Sequence, residues 1–239
     1  MAAIKVFTPH MLGVVGLVPL LYFATKNNLK ISLILPVYII LFLVAIGLTP
    51  RRWVHATPSN DQNAATAIVF GFGYETDGAK LLPGAANQFL ADWIVANRNA
   101  QTKTLLVQEG VLVALNPKTV SQLDIKRIHA HDPTVYVNTL EAAFCAIQEL
   151  NGLNQKKALL VSHDVQLQRM VWDFERVGQR NCPDCVFLVP AIPNTPFPVN
   201  SVHLQTRNQF VYTILELLIL RPRDLLTPLP SQCKAPATL

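Results

Sequence analysis

Two long uncharged apolar runs stand near the start of the chain, and short apolar runs alternating with amphipathic ones fill the rest. Ile31 to Leu48 reads ISLILPVYIILFLVAIGL, about eighteen residues without a charge and close to the minimum for a spanning helix. Pro36 sits one turn in, where a bilayer helix tolerates it. Val6 to Ala24 is a second uncharged run, weakened by Pro9, His10 and Pro19. The polar turn TKNNLK between them predicts a transmembrane helical hairpin, with spans at about residues 6–24 and 31–48 within an anchor of residues 1–52; a single span preceded by a peripheral first segment is the alternative. A cleaved signal peptide is the competing reading of the first run, but it lacks a small-residue cleavage site before Lys26. A buried core hairpin would show a polar stripe, which neither run has. Trp53, just past Arg51 and Arg52, suits the aromatic belt of a membrane interface.

Residues 53–66, including the polar stretch ATPSNDQNAAT, read as a linker. Beyond it strand and helix patterns alternate over a domain of residues 67–226. Strands are expected at Ala67–Phe70, Thr104–Val107, Lys157–Val161 and Val186–Val189. Helices are expected at Asn87–Asn97 (with Phe89, Leu90, Trp93 and Ile94 on one face), Asn138–Leu150, Val165–Val177 and Arg207–Leu220. Continuous apolar strands separated by helices imply an α/β class with a parallel sheet covered by helices on both faces. Residues 227–239 read as an irregular tail.

Charge changes the picture in one respect. Lys5, Lys26, Lys30, Arg51 and Arg52 precede the first acidic residue, Asp61, and they account for the whole formal net charge of +5. The sequence pI of 9.1 therefore belongs to the anchor, whose basic residues suit lipid headgroups. The domain is balanced, so no nucleic-acid partner is expected. Counting positive charges leans weakly toward a cytoplasmic domain.

In parallel sheets ligands bind beyond the carboxyl ends of the strands. The polar residues there are Gly71, Gly73, Glu75, Asp77 and Gly78 after the first strand, and Gln108, Glu109 and Gly110 after the second. Asn138, Thr139 and Glu141 open the central helix; Ser162, His163 and Asp164 follow the third strand, with Arg169 one turn on. As a ligand site, Gly71 and Gly73 would allow close approach of a phosphate or carboxylate, and Arg169 would pair the anion. Thr139 would offer a hydroxyl, Glu141 and Asp77 acceptors. As structure alone, the glycines make a tight turn, Thr139 and Glu141 cap their helix, and Arg169 pairs with Asp173 at i, i+4. Glu141, His163 and Asp77 are the candidates for catalysis.

Ser162 and His163 are neighbours on a strand end, where alternation turns their side chains apart, so a nucleophilic pair is not expected. His129, His131 and Asp132 would need further ligands to hold a metal, and none is expected. Cys182-Pro-Asp-Cys185 fits half a zinc site, a redox pair or a turn disulfide. Cys145 in a helix and Cys233 in the tail do not complete a zinc site, and a structural disulfide is the preferred reading if the domain is extracytoplasmic. The segment NTPFPVN, Asn194 to Asn200, could lid the site or close the sheet edge.

A strand ending in Gly71-Phe72-Gly73, then Asp77-Gly78, then Thr139-Leu140-Glu141 opening a helix, then Ser162 through Arg169, is an order of features that resembles the YdcF/SanA/ElyC-like family over roughly Ala67 to Leu220. Ala142 and Gln166 depart from the Asn and His usual in that family, and Gln108-Glu109-Gly110 from its Ser-Gly-Gly. The resemblance implies a Rossmann-like fold. It also implies a bacterial plasma-membrane (inner-membrane), multi-pass protein of envelope and cell-wall (peptidoglycan) homeostasis, with the domain on the extracytoplasmic side. The expected partners are the lipid bilayer and an anionic small molecule or lipid-linked precursor. The alternatives are a membrane-tethered nucleotide- or S-adenosylmethionine-dependent transferase, a phosphoester hydrolase, or a non-catalytic interaction module.

Overall fold

A computed structural model of the chain describes residues 57–78, 80–118, 120–128, 138–216 and 226–233. Both expected spans, at residues 6–24 and 31–48, lie outside them, as do His129, His131 and Asp132. Among the described residues no helix is long and apolar enough to cross a membrane. Contacts divide the chain into two units, Met1–Trp53 with Ile214–Thr227, and Val54–Thr213 with Pro228–Leu239. The second is the α/β domain.

Its sheet has five strands, β1 (Thr66–Val69), β4 (Thr104–Val107), β5 (Asp124–Arg127), β6 (Lys157–Val161) and β7 (Val186–Leu188), while β2 (Glu75–Asp77) and β3 (Lys80–Leu82) form a separate antiparallel hairpin. The helices are α1 (Gly84–Asn97), α2 (Glu109–Ala114), α3 (Thr139–Gly152), α4 (Asp164–Asn181) and α5 (Gln209–Leu215). Every pairing in the larger sheet is parallel. The spatial order is β5-β4-β1-β6-β7. Chain direction across the sheet thus reverses at β1, an order consistent with Rossmann-like, doubly wound topology.

Strand alternation sorts the apolar residues into two cores. Ile68, Phe70, Leu106, Ala158 and Leu160 face one cluster with α3 and α4 residues such as Leu140, Ile147, Met170 and Phe174. Ala67, Val69, Leu105, Val107, Leu159 and Val161 face the other, with Leu90, Ala91 and Ile94 of α1 and Val111 of α2. Side chains on successive strand residues point to opposite faces, so one continuous apolar run feeds both layers.

Three elements depart from the sequence expectation. Strand β5 reads DIKR and its end residues are exposed. A charged edge strand carries no apolar run, and charge at an edge discourages pairing with other chains. Asp77-Gly78 lies at the turn of the β2–β3 hairpin, with Gly78 at φ 59°. The short α2 is not among the helices the sequence predicts. The face of α1 is also shifted: Ala86, Asn87, Leu90, Ala91 and Ile94 are buried, whereas Phe89 and Trp93 flank the core.

The segment read as linker lies against the domain where it is described. Ser59 N–H donates to Val189 O at 2.7 Å, and Ser59 Oγ accepts from Val189 N–H at 2.9 Å. Ala64 is buried, and Lys157 Nζ lies 2.5 Å from Asp61 Oδ2. In the tail, Cys233 is disulfide-bonded to Cys145 of α3, and Leu229 packs on the same core cluster.

Candidate functional site

The reversal of chain direction at β1 places the segments after β1 and β6 side by side. Phe70 N–H donates to Val161 O at 2.9 Å, which keeps the two chains paired to the sheet edge. Beyond it the β1 segment makes the turn Gly71-Phe72-Gly73, and the β6 segment enters α4 through Ser162 and His163.

One residue outside the sequence candidates organises the turn. Asn87 in α1 is fully buried, and its Oδ1 accepts Phe72 N–H at 2.7 Å. Its Nδ2 donates to Gly73 O and, at 2.8 Å, to Pro83 O. Gln108 Oε1 accepts Gly71 N–H at 2.9 Å. In the loop where Gly71 and Gly73 were expected to let an anion approach, the amides of Gly71 and Phe72 are thus held by the protein's own side chains. The glycines are also needed for protein contacts. A Cβ on Gly110 would stand 2.6 Å from Asn87 Nδ2. Gly73 has φ 65°, and a Cβ there would stand 2.5 Å from Thr206 Oγ1 and 2.6 Å from Ser201 Oγ. A non-glycine residue is disfavoured at that φ even with open space around it.

Ser162 and His163 are both fully buried. Ser162 Oγ lies 3.0 Å from Gln166 Oε1 and 3.4 Å from Phe70 O. His163 Nδ1 lies 2.7 Å from Asp164 Oδ1 and 3.4 Å from Val165 N. Two acceptors at the shorter distance would repel without a proton between them, so Nδ1 donates to the carboxylate and the amide contact is the weaker one. Ser162 and His163 therefore engage different partners, as strand alternation requires.

The His163 ring is enclosed by aromatics. Phe72 lies 3.9 Å away between ring centroids at 35°, and Phe197 lies 4.5 Å away, edge-on. Phe72 also meets Tyr212 at 5.1 Å and Phe197 at 5.7 Å. Phe197 belongs to the Pro-bearing segment, which therefore covers the strand ends. Ser201 N–H donates to Pro198 O, and Val202 N–H to Tyr74 O, both at 2.9 Å, fixing that cover.

The remaining candidates are spread over the carboxyl side. Asp77 is exposed on the hairpin, and Gly78 has no atom within 4 Å of a built Cβ, so neither is enclosed. Gln108 precedes α2, whose first residue Glu109 lies 2.7 Å from Arg127 Nε at the end of β5. Asn138 caps α3, its side chain accepting Glu141 N–H at 2.7 Å, so the cap is Asn138 and not Thr139. Thr139 is buried and Glu141 half-buried in the first turn. Arg169 is only 2% exposed, with Nε 3.8 Å from Asp173 Oδ2 four residues on. That places it in a buried ion pair inside α4, where a guanidinium is held for structure as readily as for a ligand.

Sequence reading missed Asn87 and Arg127, and of Phe197 it singled out the segment, Asn194 to Asn200, but not the residue. For Asn87 a signal existed: it lies in line with Leu90, Ala91 and Ile94 at helical spacing, and a polar residue in an apolar stripe is the informative exception. Arg127 carries no local signal. Comparison of the chain with models of known families, with curated proteins and with solved structures found no match in any of the three.

Proposed function

We propose that the chain is a membrane-anchored envelope protein whose α/β domain binds a lipid-linked precursor, or another anionic small molecule, where β1 and β6 end. The observation that carries this reading is the convergence of the Gly71–Gly73 turn and Ser162–His163 at the point where strand order reverses, the usual ligand crevice of doubly wound sheets. The resemblance to the YdcF/SanA/ElyC-like family supports the envelope setting. All four cysteines are paired, Cys145 with Cys233 and Cys182 with Cys185, which favours an oxidising, extracytoplasmic compartment.

Within this reading a small free anion is the weaker candidate, because the Gly71 and Phe72 amides are engaged and Arg169 is buried against Asp173. A saccharide- or prenyl-bearing ligand can use aromatic surface instead. It would take the place of Phe197 over His163 and Phe72. The test is thermal unfolding of the full-length protein in nanodiscs with a prenyl-diphosphate saccharide, inorganic pyrophosphate or S-adenosylmethionine. The lipid-linked ligand at a hundredfold excess over its Kd should add about 2.7 kcal/mol of stability. Stabilisation by S-adenosylmethionine alone would favour the transferase instead, and no stabilisation by any of them would sink the ligand reading in favour of an interaction module.

A second reading, hydrolysis of a phosphorylated substrate, draws on the Asp164–His163 contact. A carboxylate that fixes the imidazole tautomer leaves Nε2 as the nitrogen for proton transfer. His163→Gln and Asp164→Asn should then abolish turnover of a phosphoester at temperatures where both variants are still folded, as read by their unfolding curves.

A further inference from the structure

The segment from Val199 to Phe210 sorts its side chains the wrong way round for a surface in water. Ser201 and Thr206 are buried, with Thr206 Oγ1 2.8 Å from both Ser201 Oγ and His203 O. Val199, Val202, Leu204 and Phe210 point outward, at 67%, 41%, 65% and 70% exposure. The arrangement is rigid: His203 N–H donates to Ser201 Oγ at 3.1 Å, and Arg207 Nε to Ser201 O at 2.7 Å. Hydroxyls tie the segment inward and the apolar groups have no inward place left. Single exposed apolar residues, such as Val113 elsewhere on the domain, need no explanation, but four within a dozen positions do.

Charge distinguishes the partners such a surface could meet. No acidic residue occurs between Asp184 and Glu216, whereas Arg207 is exposed on the segment itself. A segment with exposed apolar groups, a basic residue and no acid of its own has the composition of a surface that enters the headgroup layer of a membrane. The acids beside it, Glu75 and Asp77, belong to the β2–β3 hairpin that it pairs with through Tyr74.

We infer that the Val199–Phe210 surface rests on the lipid headgroups of the membrane that anchors the chain, as a second, peripheral contact made by the α/β domain. The inference relies on the membrane-anchored reading above and on no property of the ligand site. Because Phe197 lies two residues before this segment, lipid contact would hold the cover of the strand ends at the membrane surface, where a lipid-linked ligand arrives.

The experiment uses the full chain in nanodiscs with anionic lipid, carrying a fluorescent label at Leu204→Cys, Phe210→Cys or, as a control on the turn before β4, Ala100→Cys. All native cysteines are paired and do not compete for the label. Nitroxide lipids labelled near the headgroup should quench the first two positions and leave Ala100→Cys bright, while aqueous iodide should do the reverse. Labels at Leu204 and Phe210 that iodide quenches freely would overturn the inference, since the surface then faces water. Labels shielded from iodide yet untouched by nitroxide lipid would overturn it too, the cover then being protein, either the chain's own spans or a second copy. Release of the chain from carbonate-washed membranes is a separate result, which removes the anchored reading and this inference together.

Discussion

The two faces of the central sheet are built from alternate residues of the same strands, yet they are secured by different means. The face bearing α3 and α4 holds both disulfides: Cys145 and Cys182 lie within its core cluster, and Cys185 and Cys233 pack against it. Its helix α3 presents Ala142, Ala143 and Ala146, small side chains that bring the helix close but each bury little apolar area. The face bearing α1 and α2 contains no cysteine and is fastened by Asn87, which binds two backbone groups of the β1 turn and one of its own helix entry. One covalent link on the first face, Cys145–Cys233, secures the tail, and a buried amide on the other shapes the candidate site. Stability and site geometry are thus assigned largely to opposite sides, and perturbations of one side should leave the other readable.

The largest effect is expected from opening the long disulfide. Cys145 and Cys233 are 88 positions apart, and the chain-entropy model gives about 4.6 kcal/mol for a loop of that size. Cys145→Ser with Cys233→Ser should lower the urea midpoint accordingly and free the tail to protease, while the Phe72 amide keeps its hydrogen-exchange protection. Asn87→Ala should come next, costing about 3 kcal/mol, since it strands Phe72 N–H, Gly73 O and Pro83 O without a side-chain partner. Here the pattern inverts: exchange at Phe72 accelerates and ligand stabilisation is lost, with the disulfides intact by mass. If Asn87→Ala instead loosened the tail as much as the turn, the proposed separation of the faces would fail.

Opening the short disulfide should matter less. Cys182 and Cys185 are 3 positions apart, and the same model gives about 2 kcal/mol. A thermal-unfolding comparison of the two double-serine variants would show whether loop length sets the ranking. The smallest effect belongs to Glu175 on α4, whose carboxyl is pushed above the usual carboxylate range by desolvation. The folded state then holds that proton more tightly than the unfolded chain. Its stability is full below the ordinary carboxylate pKa and declines as pH rises through the raised value. Glu175→Gln should therefore stabilise slightly at neutral pH and not at pH 3; the side chain is exposed, so solvent screening keeps the gain below about 0.5 kcal/mol. Asp61 has the opposite sign: its carboxyl is held low by the hydrogen bond from Lys157, so that pair's contribution is present at neutral pH and lost on acidification.

Much of the domain was legible from periodicity. Strands β4 and β6 fall where the apolar runs TLLV and KALLV predict them, because a run buried on both faces leaves a local signature. Strand β5 was not legible, since the polar DIKR lies at the sheet edge with its ends exposed to solvent. At the site, the sequence pointed correctly to the Gly71–Gly73 turn and to Ser162–His163 as strand-end groups. It misplaced the cap, which is Asn138, and of its two readings of Arg169, an anion partner or an i, i+4 pair with Asp173, the pair is present. Asp77 was read as a site acceptor and stands exposed on a hairpin.

By itself the sequence determined the α/β alternation, the uncharged runs of the N-terminal region and the confinement of the net charge to it, because hydropathy and charge are written residue by residue. Tertiary structure decided the strand order, the Cys145–Cys233 pairing, the saturation of the turn amides by Asn87 and Gln108, and the aromatic cover over His163. Those features join residues from 15 positions apart, Phe72 with Asn87, to 92 apart, Thr66 of β1 with Ala158 of β6. A local pattern can say that a side chain will be buried, but its partner is fixed only when separate elements dock and their polar groups must be satisfied.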